Sequence, residues 1–295
     1  MNLDFKDCTF LIPIRIDSSD RLRNLFLTLK YLLNYTSTNI IVKESDSESK
    51  YDKYLKHFFS DDEVKYIFEK NDNILFHKTK ILNDMISEAQ TQYVSAYDVD
   101  IILPLTTLQK TKELLANGAD VVYPFVHGIL GERKVVFKNE KNYFEQPLEL
   151  ENHGFIANNL NTSFLDENYF YNHNALGYGF SDFGMCQFFN KKSYISGFME
   201  NENFLSYAPE DKEKHFRFKI LGYDVQRVND YVYHMEHFRT HNSSHLNPHM
   251  SKNNELWAYL QTLNKEQLIV YYKKQDYYVK RTQDVNTIPT NNTKI

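Results

Sequence analysis

The sequence predicts an α/β fold on a mostly parallel sheet, and two observations carry that expectation. Short apolar runs alternate with helix-spaced apolar residues through 1–125, the pattern of strands joined by crossover helices. Farther on, Pro209 and Gly222 bracket a helical stretch, with proline at the start and glycine past the end.

The elements follow in order. Cys8 to Ile14 (CTFLIPI) reads as a buried strand. Ser18 or Ser19 offers an N-cap and Asp20 sits in the first turn, before Leu22, Leu25, Phe26, Leu29, Leu32 and Leu33 at helical spacing. Asn39 to Val42 is a second strand, and Ile81, Leu82, Met85, Ile86 and Ala89 mark one helix face. Tyr93 to Leu103 is the next strand, Pro104 opens a helix to Gly118, and Ala119 to Phe125 is strand again. Residues 138–181, rich in Asn, Tyr and Glu, read as an irregular insertion or lid. Phe183 to Asn190, Asp224 to Val228 and Tyr231 to Phe238 read as strands, two helical stretches follow Ser251, and Thr282 to Ile295 is a frayed polar tail. In such a sheet, ligands bind beyond the carboxyl ends of the strands.

Composition narrows the function. The 295 residues carry 34 Lys+Arg against 39 Asp+Glu, a net charge of -5, which argues against broad electrostatic binding to nucleic acid. Two cysteines, Cys8 and Cys186, exclude a disulfide scaffold and a cysteine-based zinc finger. The first residues lack a basic stretch leading into an apolar one, and no apolar run reaches the ~18–20 residues of a membrane span. The expectation is a soluble cytoplasmic protein.

Four local signals could carry chemistry. Asp98-Val99-Asp100 ends an apolar strand, where two carboxylates at i and i+2 share a face and can bind a hard cation with phosphate oxygens. By itself it also reads as a solvated strand terminus. Glu210-Asp211 stands in the first turn of a helix, where the macrodipole favours carboxylates. Asp211 there is either a helix-end charge or a general base for a hydroxyl. Five histidines, His234, His237, His241, His245 and His249, cluster at the end of a strand. Asn242-Ser243-Ser244 and Pro248 break any helical zinc stripe, so one ligand from the group is expected rather than a cage. Phe76-His77-Lys78-Thr79-Lys80-Ile81-Leu82-Asn83 enters a helix, either as an ordinary amphipathic start or with Phe76 as a stacking platform and Lys80 near phosphate.

Taken in order, these motifs resemble the inverting GT-A glycosyltransferases, in particular the β-1,4-galactosyltransferase type and bacterial glycosyltransferase family 2-like relatives. Pro13-Ile14-Arg15 stands where that family has Pro-Phe-Arg, and residues 76–83 where it has Phe-Asn-Arg-Ala-Lys-Leu-Leu-Asn. Residues 98–100 match its Asp-Val-Asp, Phe183-Gly184-Met185 its Phe-Gly-Gly, and Tyr207-Ala208-Pro209-Glu210-Asp211-Lys212 its Trp-Gly-Gly-Glu-Asp-Asp. A metal-binding histidine follows, for which His234 and His237 are rivals. Tyr207 replaces the tryptophan, Ala208 and Pro209 replace the glycines, and Tyr231 stands at a methionine metal ligand.

The resemblance implies a GT-A domain over 1–250 and a helical C-terminal extension with a disordered tail over 251–295. It implies transfer of a hexose or N-acetylhexosamine, galactose type favoured, from a UDP-sugar to a glycan or lipid-linked glycan. Pro13, Arg15, Phe76, Lys80, Asp98 and Tyr207 would bind the donor. Asp100 and His234 would hold Mn²⁺ or Mg²⁺, Asp211 would be the base, and Glu210 would hydrogen-bond the sugar or the acceptor. Other readings are a retaining or nucleotidyl transferase on the same fold, a degenerate sugar-binding module, or a metallohydrolase using the histidines. The basic, aromatic stretch 265–281 reads either as a helix packed on the domain or as a peripheral contact with the inner face of a membrane.

Overall fold

The computed structural model describes residues 2–125, 135–136, 183–230, 232–235 and 237–286. In chain order the elements are β1 (Leu3–Ile14), α1 (Ser19–Tyr35), β2 (Thr36–Asp46), α2 (Lys50–Tyr54), β3 (Lys65–Lys70), α3 (Lys78–Glu88), β4 (Tyr93–Tyr97), β5 (Ile101–Ile102) and α4 (Leu105–Ala116). There follow β6 (Val121–Tyr123), β7 (Val135–Val136), β8 (Cys186–Asn190), α5 (Lys191–Ser196), α6 (Glu210–Leu221), β9 (Val225–Arg227), β10 (Val232–His234), α7 (Met250–Gln261), α8 (Lys265–Lys273) and α9 (Asp276–Asn286). The expected insertion over 138–181 lies outside the described residues.

The main sheet has seven strands in the order β3-β2-β1-β4-β8-β6-β9. All its pairings are parallel except those of β8, which runs against β4 and β6. The mostly parallel sheet expected from the alternating pattern is therefore present. Its centre is β1, whose last seven residues are all buried. Strands covered on both faces read as continuous apolar runs, which is why CTFLIPI was legible. Edge strand β3 has only exposed and half-buried positions, and its charged sequence KYIFEK hid it.

Two local rules held at the helices. The Ser18 side chain caps α1 by accepting from the Arg21 amide at 3.3 Å. Gly222 ends α6 with φ 92, and the Tyr223 amide reaches back to the Phe218 carbonyl at 3.1 Å, the glycine-terminated closure of a helix.

The strand expected over 93–103 is two strands. β4 stops at Tyr97, the chain turns through Asp98–Asp100, and β5 pairs antiparallel with β10 in a second, three-stranded sheet, β5-β10-β7. The turn is fixed on three sides. The Asp98 amide donates to the Met185 carbonyl at 2.9 Å, Thr28 donates to the Val99 carbonyl at 2.8 Å, and the Met235 amide donates to the Asp100 carbonyl at 2.7 Å. Those bonds replace the strand ladder that apolar Ile101 and Ile102 would otherwise continue.

The C-terminal region forms three helices rather than two, and helix continues through Asn286 where a frayed tail was expected from Thr282. Leu260, Leu268 and Tyr272 join Phe198 and Phe204 in a second core cluster beside α6. Lys273, Lys274 and Lys280 face outward, while Arg281 pairs with Asp84 at 2.7 Å and Glu202 at 2.6 Å. This part of 265–281 is thus packed on the domain. Among the described residues no helix is long and apolar enough to cross a membrane.

At the heart of that cluster the Arg217 guanidinium is fully buried. It donates to Glu213 at 2.8 and 3.3 Å and to the carbonyls of Gly197 and Met199. Tyr272 donates its hydroxyl to the same Glu213. Removing one partner of such a pair strands the other charge in the interior. Arg217→Ala is expected to lose about 3–5 kcal/mol of stability, read as a fall in the urea unfolding midpoint. Replacing Arg217 and Glu213 together by apolar residues should cost much less.

Candidate active site

The carboxyl ends of β1 and β4, the start of α3, the loop into α6 and the segment after β10 enclose one open cleft of about 660 Å³. Pro13, Arg15, Phe76, Asp98, Asp100, Tyr207, Glu210, Asp211 and His234 all line it. Residues distant in the chain thus meet beyond the strand ends, where an open α/β sheet places its ligands.

One wall belongs to β1 and the loop before α3. Arg15 donates to the carbonyls of Asn73 and, at 3.4 Å, Asn71, and lies 3.8 Å from Asp46. The Phe76 amide donates to the Asn242 side chain at 2.8 Å, and that side chain donates to the Ile74 carbonyl at 2.9 Å. These bonds tie the Phe76 loop to the turn after β10.

Lys80 is not among the lining residues. Its ammonium turns to Asp84 at 2.8 Å and Glu69 at 3.7 Å, beside Lys43. Lys78, two residues earlier on α3, takes the place in the cleft and pairs with Asp98 at 2.7 Å. A helix turns ~100° per residue, so the two lysines of one motif face different surroundings. Burial works against the charge on Lys78, but Asp98, Asp211 and Glu210 outweigh it and hold the ammonium above the ordinary lysine range.

A second wall gathers Asp100, His234 and His237, whose ligand atoms all lie within 4.8 Å of one another. His237 Nε2 is 3.1 Å from Asp100 Oδ2, and His234 Nε2 is 3.7 Å from Oδ1. The His237 Nδ1–H donates to the Phe238 carbonyl at 2.8 Å, which fixes the ring with Nε2 toward Asp100. Among the described residues, Asp100 Oδ1 is buried without a hydrogen-bond partner. Two imidazole nitrogens and a carboxylate this close call for a cation among them, so the donor set fits a divalent metal. Sequence reasoning treated the two histidines as rivals and expected one ligand; the turn after β10 brings both to Asp100. His241, by contrast, faces the Ile74 carbonyl at 2.9 Å. Arg21, which no sequence signal marked, stands 3.5 Å from Asp100 Oδ2. Burial disfavours the Asp100 charge, yet His234, His237 and Arg21 hold its carboxyl well below the usual range. Burial lowers His234, opposed by Asp100.

The third wall is the loop into α6. Ser206 and Ala208 have φ of 60 and 54, a left-handed conformation that costs a residue with a Cβ about 1–2 kcal/mol. Two buried asparagines grip the loop. Asn247 donates to the carbonyls of Leu205 and Tyr207 at 2.9 and 2.8 Å, and Asn253 donates to those of Leu205 and Ala208 at 3.0 and 2.8 Å. The segment after β10 and helix α7 therefore hold Glu210 and Asp211 at the cleft.

No family model and no curated protein matches the sequence. Among solved structures, the mannosyltransferase PcManGT from Pyrobaculum calidifontis, in complex with GDP-Man and Mn²⁺, superposes with a TM-score of 0.54 over 97% of this chain and 76% of that one, at 10% identity. The fold is GT-A. Lower overlap is found with S. aureus TarS 1-349 in complex with UDP-GlcNAc (TM-score 0.48, 11% identity, 81% of this chain and 61% of that one). It is also found with the catalytic domain of Drosophila β1,4-galactosyltransferase 7 in complex with xylobiose (TM-score 0.40, 13% identity, 80% and 71%). At these identities the likeness is one of fold.

Within the GT-A cleft, Glu210 is held well above the ordinary carboxyl range by its surroundings. Burial first, and then the charge of Asp211, push it up from 4.5 to about 8, against the opposing pull of Lys78 and Lys214. Among the described residues, its Oε2 is buried without a hydrogen-bond partner. A carboxyl whose folded value exceeds its unfolded one takes up a proton on folding between the two, so it loses stability as pH rises through that window. Glu210→Gln is expected to match wild type near pH 4.5 and to melt a few degrees higher by pH 8. Thermal melts across that range check it, and parallel curves at all pH would refute it.

Proposed function

We propose that the protein is a metal-dependent inverting glycosyltransferase that moves a hexose or N-acetylhexosamine, galactose type favoured, from a UDP-sugar to a hydroxyl of a glycan or lipid-linked glycan. The observation that carries this reading is the meeting, in one GT-A cleft, of the Asp100–His234–His237 cluster and the carboxylates at the start of α6. The first suits a cation on a diphosphate; the second suits a base on an acceptor hydroxyl.

In this reading Pro13, Arg15 and Phe76 line the nucleoside end of the cleft, and Lys78 and Asp98 form its floor. A divalent ion on Asp100, His234 and His237, Mn²⁺ or Mg²⁺, would offset the charge that grows on the departing diphosphate. Asp211 takes the proton of the acceptor hydroxyl. The acceptor oxygen forms its bond to the anomeric carbon as the bond from that carbon to the phosphate oxygen breaks, so the configuration inverts. Glu210, pushed toward its neutral form by burial and by Asp211, donates a hydrogen bond to a sugar oxygen. Tyr207, with its ring edge-on to His245 at 6.1 Å, contributes to the donor site in this reading, and Met250 and Asn254 of α7 also line the cleft. Residues 1–250 form the catalytic domain in this account, with 251–295 as its C-terminal extension, and Asn253 of α7 braces the loop into α6.

Calorimetry with UDP, UDP-galactose, UDP-N-acetylgalactosamine, UDP-glucose and GDP-mannose, with and without Mn²⁺, tests the donor half. Binding should require the metal and vanish in Asp100→Ala, and His234→Ala and His237→Ala should each weaken Mn²⁺ about tenfold or more. Asp211→Asn should bind donor as wild type does and lose at least about a hundredfold in transfer rate. A protein that binds donor but transfers to no acceptor would instead be a sugar-binding module.

A further inference from the structure

Lys214 lies one helical turn beyond Asp211 on α6, and its side chain is only 2% exposed. Its ammonium is 2.7 Å from Glu200 Oε1 and 3.4 Å from Asp211 Oδ1. Glu200 is itself held: Tyr194 donates to its carboxylate at 2.8 Å, its amide donates to Asn83 Oδ1 at 2.8 Å, and Asn83 Nδ2 donates to its carbonyl at 3.0 Å. Asn83 belongs to α3, the helix that begins with Lys78 in the cleft. A buried ammonium is costly unless paired, and Glu200 supplies that pairing. The second contact, to Asp211, then places a fixed positive charge behind the cleft carboxylate.

We infer that Lys214 is a positioning residue: anchored on Glu200, it aims the Asp211 carboxylate into the cleft and keeps it a competent proton acceptor. This rests on reading Asp211 as the base. The other groups facing Asp211 are Lys78 from α3, Asp98 after β4, Glu210 beside it, and Tyr123 and Cys186 from β6 and β8. Lys78 pairs with Asp98, so Lys214 is the cation that approaches Asp211 from its own helix. An opposite charge at this range favours the carboxylate, and a carboxylate misplaced by about 1 Å loses about a hundredfold in rate.

The test compares wild type, Lys214→Met, Lys214→Arg and Glu200→Gln by kcat, donor KM and pH–rate profiles at saturating Mn²⁺. Lys214→Met should lower kcat about a hundredfold, leave donor KM within about twofold, and move the acid limb up. Lys214→Arg should restore most of the rate. Glu200→Gln leaves the Lys214 charge less neutralised, so its acid limb should move down. A loss confined to donor KM, an unmoved limb, or limbs that move the same way in Lys214→Met and Glu200→Gln would overturn the proposal. Should Lys214→Met fail to fold, the Glu200→Gln limb decides alone. A carbon-13 titration of the Asp211 carboxyl needs no turnover. A shift there in a protein that transfers no sugar would overturn the transferase reading alone, and no shift in the variants would overturn the hold of Lys214 on Asp211.

Discussion

Five carboxyl groups line one cleft, and the mutual repulsion of four of them, Asp98, Asp100, Glu210 and Asp211, is the constraint around which the rest is arranged. Each is answered differently. Lys78 takes Asp98; His234, His237 and Arg21 surround Asp100; Lys214 leans on Asp211. Glu210, with no cation in contact among the described residues, is pushed toward its neutral form. Like charges in a shared site are relieved by pairing or by protonation, and both are used here. The result is a set of carboxyl groups suited to different tasks in a single pocket.

Holding those groups in place requires rigid backbone on every side. The Asp98–Asp100 turn is bonded to Met185, Thr28 and Met235, residues from three separate segments. The loop before α6 is held by Asn247 and Asn253, and α6 itself is anchored by the buried Glu213–Arg217–Tyr272 group. The C-terminal helices therefore take part in the site indirectly. Their apolar residues close a second core, and their polar ones hold strained backbone in which Ser206 and Ala208 adopt positive φ. Sites built on elements braced in this way keep their geometry when substrate arrives.

Much of the fold was legible because its signals are local. The apolar run of β1, the serine before α1 and the Pro209–Gly222 bracket each act through neighbours a few residues away. The motif order also located the cleft: most of the side chains it singled out do line it. The displacement of Lys80 has a physical cause. Lys80 and Lys78 sit in the same motif, yet helix rotation sends one to Asp84 and the other to Asp98. The basic, aromatic stretch over 265–281 had an open meaning until Leu268 and Tyr272 were seen to pack inward.

The sequence by itself determined the α/β class, the strand-end carboxylates and the acidic start of α6, since periodicity, capping and charge at a helix terminus are short-range physics. Only the tertiary structure decided that Asp100 meets two histidines, that Lys78 neutralises Asp98, and that Glu200 and Lys214 stand behind Asp211. Those contacts join residues from separate elements. A buried charge finds its partner through chain packing in three dimensions, and no spacing along the chain encodes that meeting.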